Sequence, residues 1–131
     1  MNCGLRPAVV ACIAALALCA LPARANAQSA PQPQRDIEAL IASIRASDCR
    51  FERNGRWYDA AAAQAHLRKK YDYLRKRGLA DSAESFIERG ASRSSISGKP
   101  YRVRCGGAPA SESGPWFRRK LGEIRGRSGA R

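Results

Sequence analysis

The chain has a single histidine, His66, and a serine-rich loop further along the sequence contains Ser94, Ser95 and Ser97. A histidine next to a serine hydroxyl can act as a general base and turn the serine into a nucleophile. The serines are not set in a Gly-x-Ser-x-Gly nucleophile elbow, and the sequence offers no obvious acid to orient the histidine. We therefore expect His66 to be structural, with its ring bonded to backbone of the loop, and a small hydrolase is the alternative.

The serine-rich loop is also a candidate site for a small anion or a glycan. Its hydroxyl and backbone N–H groups lie beside Arg93 and Lys99, which supply positive charge. It is not a phosphate-binding P-loop, because position 93 is not a glycine and Pro100 stands where that motif requires Ser or Thr. The competing interpretation is that these serines only satisfy turn backbone, as loop serines usually do.

A third candidate site is a sheet face on which one aromatic side chain lies among arginines. Such a surface suits a polyanion or a sugar. In the alternative arrangement, the terminal helix covers this face, and Trp116 or Phe117 packs against the aromatic side chain. The predicted members of this face are Arg50, Trp57, Arg102 and Arg104.

Residues 1–27 have the features of a secretory signal peptide. An apolar run over residues 8–21 is followed by Ala25-Asn26-Ala27, an Ala-x-Ala pattern that predicts cleavage after Ala27. The run of 14 residues is shorter than the roughly 20 that a membrane-spanning helix needs, and no second apolar stretch follows it. The sequence therefore predicts an exported protein that works outside the cytoplasm, with no transmembrane segment in the mature chain.

The predicted export changes which partners the positive charge of the chain indicates. Cleavage after Ala27 leaves 104 residues, enough for one small domain, with 22 Lys and Arg against 11 Asp and Glu, or +11. A chain this basic usually binds nucleic acid, but no nucleic acid is expected as a partner outside the cytoplasm. We expect an anionic envelope component or an acidic protein instead, or a solvated basic surface without any partner.

Two of the five cysteines, Cys49 and Cys105, lie beyond the predicted signal peptide. We expect them to form a disulfide, because compartments outside the cytoplasm favour oxidised cysteines. The Cys-x-x-Cys spacing of redox-active pairs is absent. A metal site is not expected, because two cysteines and His66 do not supply the usual four ligands, and the sequence predicts no cofactor.

Apolar periodicity predicts a single domain over residues 35–125, with a disordered leader at residues 28–34 and a basic tail at residues 126–131. About four helices are expected, and the longest spans residues 59–77, with its basic run treated as a solvated face. A capping box with Asp81 as the cap opens the short third helix. The apolar stripes of the helices are Ile37, Leu40, Ile41 and Ile44; Ala63, Leu67, Tyr71 and Leu74; Ala83, Phe86 and Ile87; and Trp116, Phe117, Leu121 and Ile124.

The predicted fold class is α+β, with a small three-stranded antiparallel sheet packed with about four helices and one disulfide. Asn54-Gly55 is a strong hairpin signal, and a disulfide between Cys49 and Cys105 makes the strand that ends at Cys105 antiparallel to the first strand. The expected strand order is last, first, second. The predicted pairs are Phe51 with Tyr58, Glu52 with Trp57, Arg50 with Arg104, and Glu52 with Arg102.

Four blocks in the middle of the chain have the order of motifs in a known family. They are Phe51-x-Arg53-Asn54-Gly55, His66-Leu67-Arg68-x-Lys70, Ala83-Glu84-x-Phe86-Ile87 and Ala91-Ser92-x-Ser94-Ser95-x-Ser97-Gly98-x-Pro100-Tyr101-x-Val103. On these blocks the chain resembles the YfeK-like family of small bacterial periplasmic proteins, a domain of unknown function. The resemblance implies a periplasmic location and carries no activity, substrate or catalytic residue.

The sequence thus predicts an uncharacterised periplasmic protein that works as a non-enzymatic binding or accessory module. Its expected partner is an anionic envelope component or an acidic protein. The first alternative is the small hydrolase that uses a loop serine and His66. The second alternative is a structural envelope factor without a ligand.

Overall fold

The computed structural model describes Gly4 and residues 30–131, so the predicted signal peptide and cleavage site lie outside the described residues apart from Gly4. Residues 30–131 form an α+β domain with four α-helices and one antiparallel sheet. The helices are α1 (Gln32–Arg45), α2 (Ala60–Lys76), α3 (Ala83–Phe86), which continues into a π-helical segment (Ile87–Ala91), and α4 (Ser113–Gly129). The strands are β1 (Cys49–Arg53), β2 (Arg56–Tyr58), β3 (Arg102–Cys105) and β4 (Ser111–Glu112).

The sheet has four strands in the order β2-β1-β3-β4, so the prediction of three strands is wrong by one edge strand. The order of the three predicted strands and all four predicted cross-strand pairs are confirmed. The extra strand, β4, pairs with Arg102 and Val103 through its backbone. Two polar residues carry no apolar alternation, so the sequence pattern gives no sign of this strand.

The β1–β2 hairpin turns at Asn54 and Gly55, where φ is +51° and +82°. Asn and Gly are the residues that adopt positive φ most readily, which fixes a two-residue turn and therefore the register of the hairpin. This register puts Cys49 and Phe51 on the buried face of β1, and their side chains are 5% and 9% exposed. The turn also places Arg53 at the end of β1, next to the serine-rich loop.

All four helices pack with their apolar stripes against the buried face of the sheet or against one another. The α1 stripe is fully buried, and Leu67, Tyr71 and Leu74 of α2 are 2–6% exposed. In α4, Trp116 meets Phe51 edge-on at 5.5 Å between ring centroids. The terminal helix therefore covers the face of the sheet that carries Phe51 and leaves the opposite face open.

The helix boundaries differ from the predicted ones at three places. Helix α1 begins at Gln32, because Pro33 sits in the first turn, where no backbone N–H is needed. The capping box of α3 is formed by Ser82 and Ser85 rather than by Asp81. Helix α4 runs through to Gly129, so most of the predicted tail is helical. Ser128 at its end donates to the Ile124 carbonyl.

One buried carboxylate ties three helices together. Asp36 is 1% exposed and accepts hydrogen bonds from Gln32 Nε2 at 2.6 Å and from Arg125 Nε at 2.9 Å. The same Arg125 guanidinium reaches Glu84 of α3. The charge of Asp36 is therefore paired in a network that fixes α1 and α3 against α4.

The predicted Cys49–Cys105 pair is at disulfide distance, with sulfur atoms 1.97 Å apart and Cα atoms 4.0 Å apart. The two residues are directly opposite each other at one end of the β1–β3 pair. Within the described part of the chain, no helix is both long enough and apolar enough to cross a membrane.

Candidate functional site

A concave surface, here called the cationic cleft, opens at the end of the β1–β3 pair opposite the disulfide. It has a volume of about 650 Å³ and is formed by the β1–β2 turn, one face of α2 and the serine-rich loop. Its lining residues are Arg53, Asn54, Arg56, Tyr58, His66, Lys69, Lys70, Tyr73, Leu74, Ser94, Ser95, Ile96 and Tyr101. The lining thus combines four cationic side chains with three tyrosines.

None of these lining residues is acidic. The ion pairs formed within residues 30–131 involve other basic side chains, among them Arg68 with Glu38 and Arg125 with Asp36. The four cations of the cleft, Arg53, Arg56, Lys69 and Lys70, take part in none of these pairs. The cleft therefore concentrates positive charge that the described part of the chain does not neutralise.

Helix α2 places five of the lining side chains, among them the only histidine and two of the four cations. Asp59 caps the helix by accepting a hydrogen bond from the Ala62 backbone N–H at 2.8 Å. Leu67, Tyr71 and Leu74 then bury one stripe of the helix. Residues three and four positions apart share a helix face, so His66, Lys69 and Lys70 are presented together along the edge of the buried stripe.

His66 contacts an arginine and not the loop backbone that was expected to hold it. Arg53 donates to the imidazole, with Nη1 lying 2.5 Å from Nδ1. The ring also lies edge-on to Tyr101 at 6.3 Å between centroids. The same Nη1 lies 3.0 Å from Nε2, so both ring nitrogens are close to the guanidinium.

The surroundings of His66 keep it uncharged. Burial, the largest cause, and the positive charges of Arg53, Lys70 and Lys69 together lower the pKa of His66 to about 4. A histidine with such a pKa is neutral at pH 7 and is a weak base there. The cationic cleft therefore draws its charge from arginine and lysine alone.

Lys70 is a half-buried cation of the cleft that forms two hydrogen bonds. Its ammonium group donates to the Tyr101 hydroxyl and to the Arg93 carbonyl, both at 3.3 Å. Burial, the larger cause, and repulsion from Arg53 together lower the pKa of Lys70 to about 8. Lys70 therefore stays mainly protonated at neutral pH, but in surroundings that disfavour its charge.

Two tyrosines respond to these cations in opposite ways. Arg53 donates to the Tyr58 hydroxyl at 3.4 Å, and this hydrogen bond lowers the pKa of Tyr58. Burial raises the pKa of Tyr101, although Arg53 and Ser94 partly oppose that effect. A tyrosine hydroxyl can donate a hydrogen bond, so both residues offer donors to a ligand.

A second cavity, here called the apolar pocket, lies between α2 and the buried face of the sheet. Its volume is about 120 Å³, and its wall includes Ile44, Phe51, Leu67 and Phe117. The two cavities share the side chains of Arg53, Tyr58, His66 and Tyr101. These four residues, which we call the rim, form the boundary between an apolar and a cationic space.

The serine-rich loop contributes less than its composition indicates. Ser94 is 4% exposed, and its hydroxyl accepts hydrogen bonds from the Ile96 and Ser97 backbone N–H groups. The Ser97 hydroxyl donates to Asn54 Oδ1 at 2.7 Å. Ser94 and Ser95 line the cationic cleft with His66, whereas Ser97 and Lys99 are exposed and do not line it.

The open face of the sheet, here called the outer face, carries the third predicted set. Arg104 lies over the Trp57 ring, with Cζ 4.6 Å from the ring centroid, and Trp57 is half-buried. Arg102 pairs with Glu52 at 3.7 Å. Arg50, Arg102 and Arg104 are exposed on this face. The predicted residues do share one surface, but it is flat and contains a carboxylate.

Among the described residues, Asp48, Cys49 and Cys105 form one set of three potential metal ligands within 4.8 Å of one another. The two sulfur atoms are at bonding distance, and a disulfide provides no thiolate for a metal. This set therefore does not fit a metal site in the oxidised protein.

Four residues of the cationic cleft are not predicted from the sequence, because a basic helix face and a hairpin turn normally face solvent. They are Arg53, Arg56, Lys69 and Lys70. One signal could have found part of the set. Seven of the thirteen residues that line the cationic cleft belong to the blocks that carry the family resemblance: Arg53, Asn54, His66, Lys70, Ser94, Ser95 and Tyr101.

The fold and the site define a small α+β domain with a cysteine pair at one end of its sheet and a cationic cleft at the other. The chain belongs to the family of unknown function DUF5329, whose model matches residues 31–125.

A relative supports this assignment. The chain is 40% identical over 92 residues to "Uncharacterized protein YfeK" of Salmonella typhimurium strain LT2. The aligned residues cover 70% of this chain and 74% of that protein. The resemblance to the YfeK-like family is therefore confirmed. No solved structure matches the chain.

Proposed function

We propose that the protein is a non-enzymatic binding module for an anionic component of the cell envelope, whose charged group enters the cationic cleft. One observation carries the proposal. Arg53, Arg56, Lys69 and Lys70 line one concave surface that contains no carboxylate. Like charges held close together repel one another, and a bound anion relieves that repulsion.

The shape of the cleft supports a small anionic group rather than a broad protein surface as its ligand. Its volume of about 650 Å³ falls within the roughly 300–1,000 Å³ typical of small-ligand sites. The Tyr58 and Tyr101 hydroxyls and the side chain of Asn54 add hydrogen-bonding groups beside the cations. A carboxylate or a phosphate would meet both charge and directional donors there.

The hydrolase alternative receives less support from the same geometry. His66 accepts from Arg53, and its pKa of about 4 is far below the value that suits a general base at neutral pH. The hydroxyl of Ser94 is buried and already accepts two backbone hydrogen bonds. An anion held by four cations requires neither residue to react.

A second candidate function is the binding of an acidic protein on the outer face. It is favoured by the exposure of Arg50 and Arg104 around Trp57. Arginines beside an aromatic ring are typical of protein interfaces. A flat surface of this kind suits a protein partner better than a small anion.

We also propose that the protein is exported to the periplasm and processed after Ala27. The cysteine pair at disulfide distance supports an oxidising compartment. The test is the mass of the protein recovered from a periplasmic fraction. A chain that begins at Gln28 agrees with the proposal, and an uncleaved chain in the cytoplasm contradicts it.

The binding proposal is tested with two double variants that remove the same charge. Arg56→Gln with Lys69→Gln removes two exposed cations from the cationic cleft, and Arg50→Gln with Arg104→Gln removes two from the outer face. The oxidised protein is titrated with lipopolysaccharide, phosphatidylglycerol vesicles and inorganic phosphate at physiological salt. The cleft variant is expected to lose affinity for the bound ligand by about tenfold or more.

The outer-face variant is the matched control for net charge. It is expected to keep nearly all of the affinity, because its altered residues do not line the cationic cleft. Equal losses in both variants would mean that only overall charge matters. Loss in the outer-face variant alone would favour the second candidate function, and no binding to any of the three probes by the unaltered protein would contradict the proposal.

A further inference from the structure

The apolar pocket adjoins the cationic cleft along the rim. Both cavities are lined by Arg53, Tyr58, His66 and Tyr101, so a molecule in the cleft can contact both spaces. Three of these rim residues are aromatic or imidazole rings, whose faces and edges tolerate both apolar and polar groups. The rim is therefore suited to a molecule that has a charged group on the cleft side and an apolar group on the pocket side.

The walls of the two cavities differ in chemistry. The wall of the apolar pocket includes Ile44, Phe51, Leu67 and Phe117. Its one buried hydroxyl, that of Ser113, already donates to the Ala91 carbonyl, and Glu52, which also lines the pocket, is paired with Arg102 at 3.7 Å. A water molecule there would find few partners, because a buried water normally makes about three hydrogen bonds. An apolar group is the occupant that this wall favours.

We propose that the ligand of the cationic cleft is an amphiphilic anion, in which a carboxylate or phosphate is attached to a short apolar group that enters the apolar pocket. The inference rests on the proposed function and specifies its ligand class. The pocket volume, about 120 Å³, is somewhat smaller than the roughly 150 Å³ of an engineered apolar cavity that binds benzene. The apolar group therefore has at most about the size of a benzene ring.

The test compares three probes that separate charge from apolar surface. Inorganic phosphate carries the charge alone, 1-butanol carries the apolar group alone, and butyl phosphate carries both. Binding to the full oxidised protein is measured by calorimetry. Butyl phosphate is expected to bind at least about tenfold more tightly than inorganic phosphate, and 1-butanol is expected not to bind at the same concentrations.

Two substitutions on the same helix show where the butyl group lies. Ala62 lines the apolar pocket, and Ala61 lines neither cavity, while both side chains are exposed. Ala62→Leu is expected to reduce the affinity for butyl phosphate to that for inorganic phosphate, because the larger side chain takes up space in the apolar pocket that Ala62 lines. Ala61→Leu is the matched control and is expected to change neither affinity, and inorganic phosphate should bind both variants equally.

The outcomes separate this inference from the proposed function. If neither phosphate compound binds, the amphiphilic-anion inference is wrong, and the proposed function is then decided by the titrations with lipopolysaccharide and phosphatidylglycerol vesicles. If inorganic phosphate binds and butyl phosphate binds no more tightly, only the amphiphilic ligand is ruled out. Tighter binding of butyl phosphate that Ala62→Leu leaves unchanged would place the butyl group outside the apolar pocket and would also overturn the inference.

Discussion

The two ends of the β1–β3 strand pair differ in what holds them together. At one end, Cys49 and Cys105 face each other at disulfide distance. At the other end, Arg53 and Tyr101 enter the cationic cleft, where like charges lie close together without carboxylates. The disulfide end therefore contributes stability, whereas the cleft end holds positive charges in surroundings that disfavour them.

This contrast indicates a division of roles in a very small domain. A chain of this size buries too little surface to tolerate many unfavourable groups, and a disulfide restores part of the stability. The basic side chain of Arg125 is paired with Asp36, so the fold does neutralise cations elsewhere. Four cations left without carboxylates at one end are more easily explained by a ligand than by the needs of folding.

The largest expected effect comes from opening the disulfide end. Replacing both cysteines, Cys49→Ser with Cys105→Ser, is expected to lower the free energy of unfolding by about 4 kcal/mol, because it removes the constraint on a long loop of the unfolded chain. Urea unfolding followed by circular dichroism measures the change. A loss below about 1 kcal/mol would show that this end does not supply the stability assigned to it.

An intermediate effect is expected from the pH dependence of the cleft end. The folded-state pKa of His66, about 4, lies below its ordinary value of 6.5, so the unfolded chain binds an additional proton between these values. Stability therefore falls as the pH falls from 6.5 to 4. After allowance for solvent screening of a partly exposed ring, the loss is about 1–2 kcal/mol.

The variant His66→Gln isolates this contribution, because glutamine does not titrate. Its free energy of unfolding is expected to change less than that of the unaltered protein between pH 6.5 and pH 4. Carboxylates whose pKa is lowered by an arginine partner, such as Glu38 and Glu84, contribute to both proteins, so the difference between the two curves is the quantity to measure. Parallel curves would contradict the charged environment assigned to His66.

The smallest loss of stability is expected from an ion pair that lies between the disulfide end and the cleft end of the sheet. Glu52 and Arg102 pair at 3.7 Å, and the arginine side chain is 50% exposed. Arg102→Gln is expected to lower the free energy of unfolding by at most about 0.5 kcal/mol, because exposed ion pairs contribute little. Chemical unfolding at low and high salt measures it. A loss above about 2 kcal/mol would mean that this pair, and not the disulfide, holds the sheet together.

The sequence predicts most of the fold because its strongest signals are local. The Asn54-Gly55 turn determines the hairpin register, and the cysteine pair determines the register of β3. The apolar stripes identify the buried side of every long helix. Strand β4 escapes prediction because Ser111 and Glu112 take part only through backbone pairing with β3.

The cationic cleft is harder to predict because it exists only in the folded chain. It joins the end of β1, a face of α2 and a loop that are far apart in sequence. Lys69 and Lys70 belong to a basic run that is typical of solvated helix faces, yet Lys70 is half-buried beneath Tyr101. His66 stands out in the sequence because it is the single histidine, whereas its partner Arg53 is one of many basic residues.

Binding of an anion among these cations should change the pKa of His66, because the imidazole lies beside Arg53. It is the only histidine of the chain, so its imidazole resonances can be assigned without ambiguity. NMR titration of the oxidised protein is expected to give a pKa of about 4 without ligand. Saturating phosphate is expected to raise it by at least about half a unit, because a bound anion offsets the charges of Arg53 and Lys70. The Arg56→Gln, Lys69→Gln variant is expected to show a smaller rise at the same phosphate concentration. A pKa near 6.5 that phosphate leaves unchanged would contradict both the charged environment of the cleft and its role as an anion site.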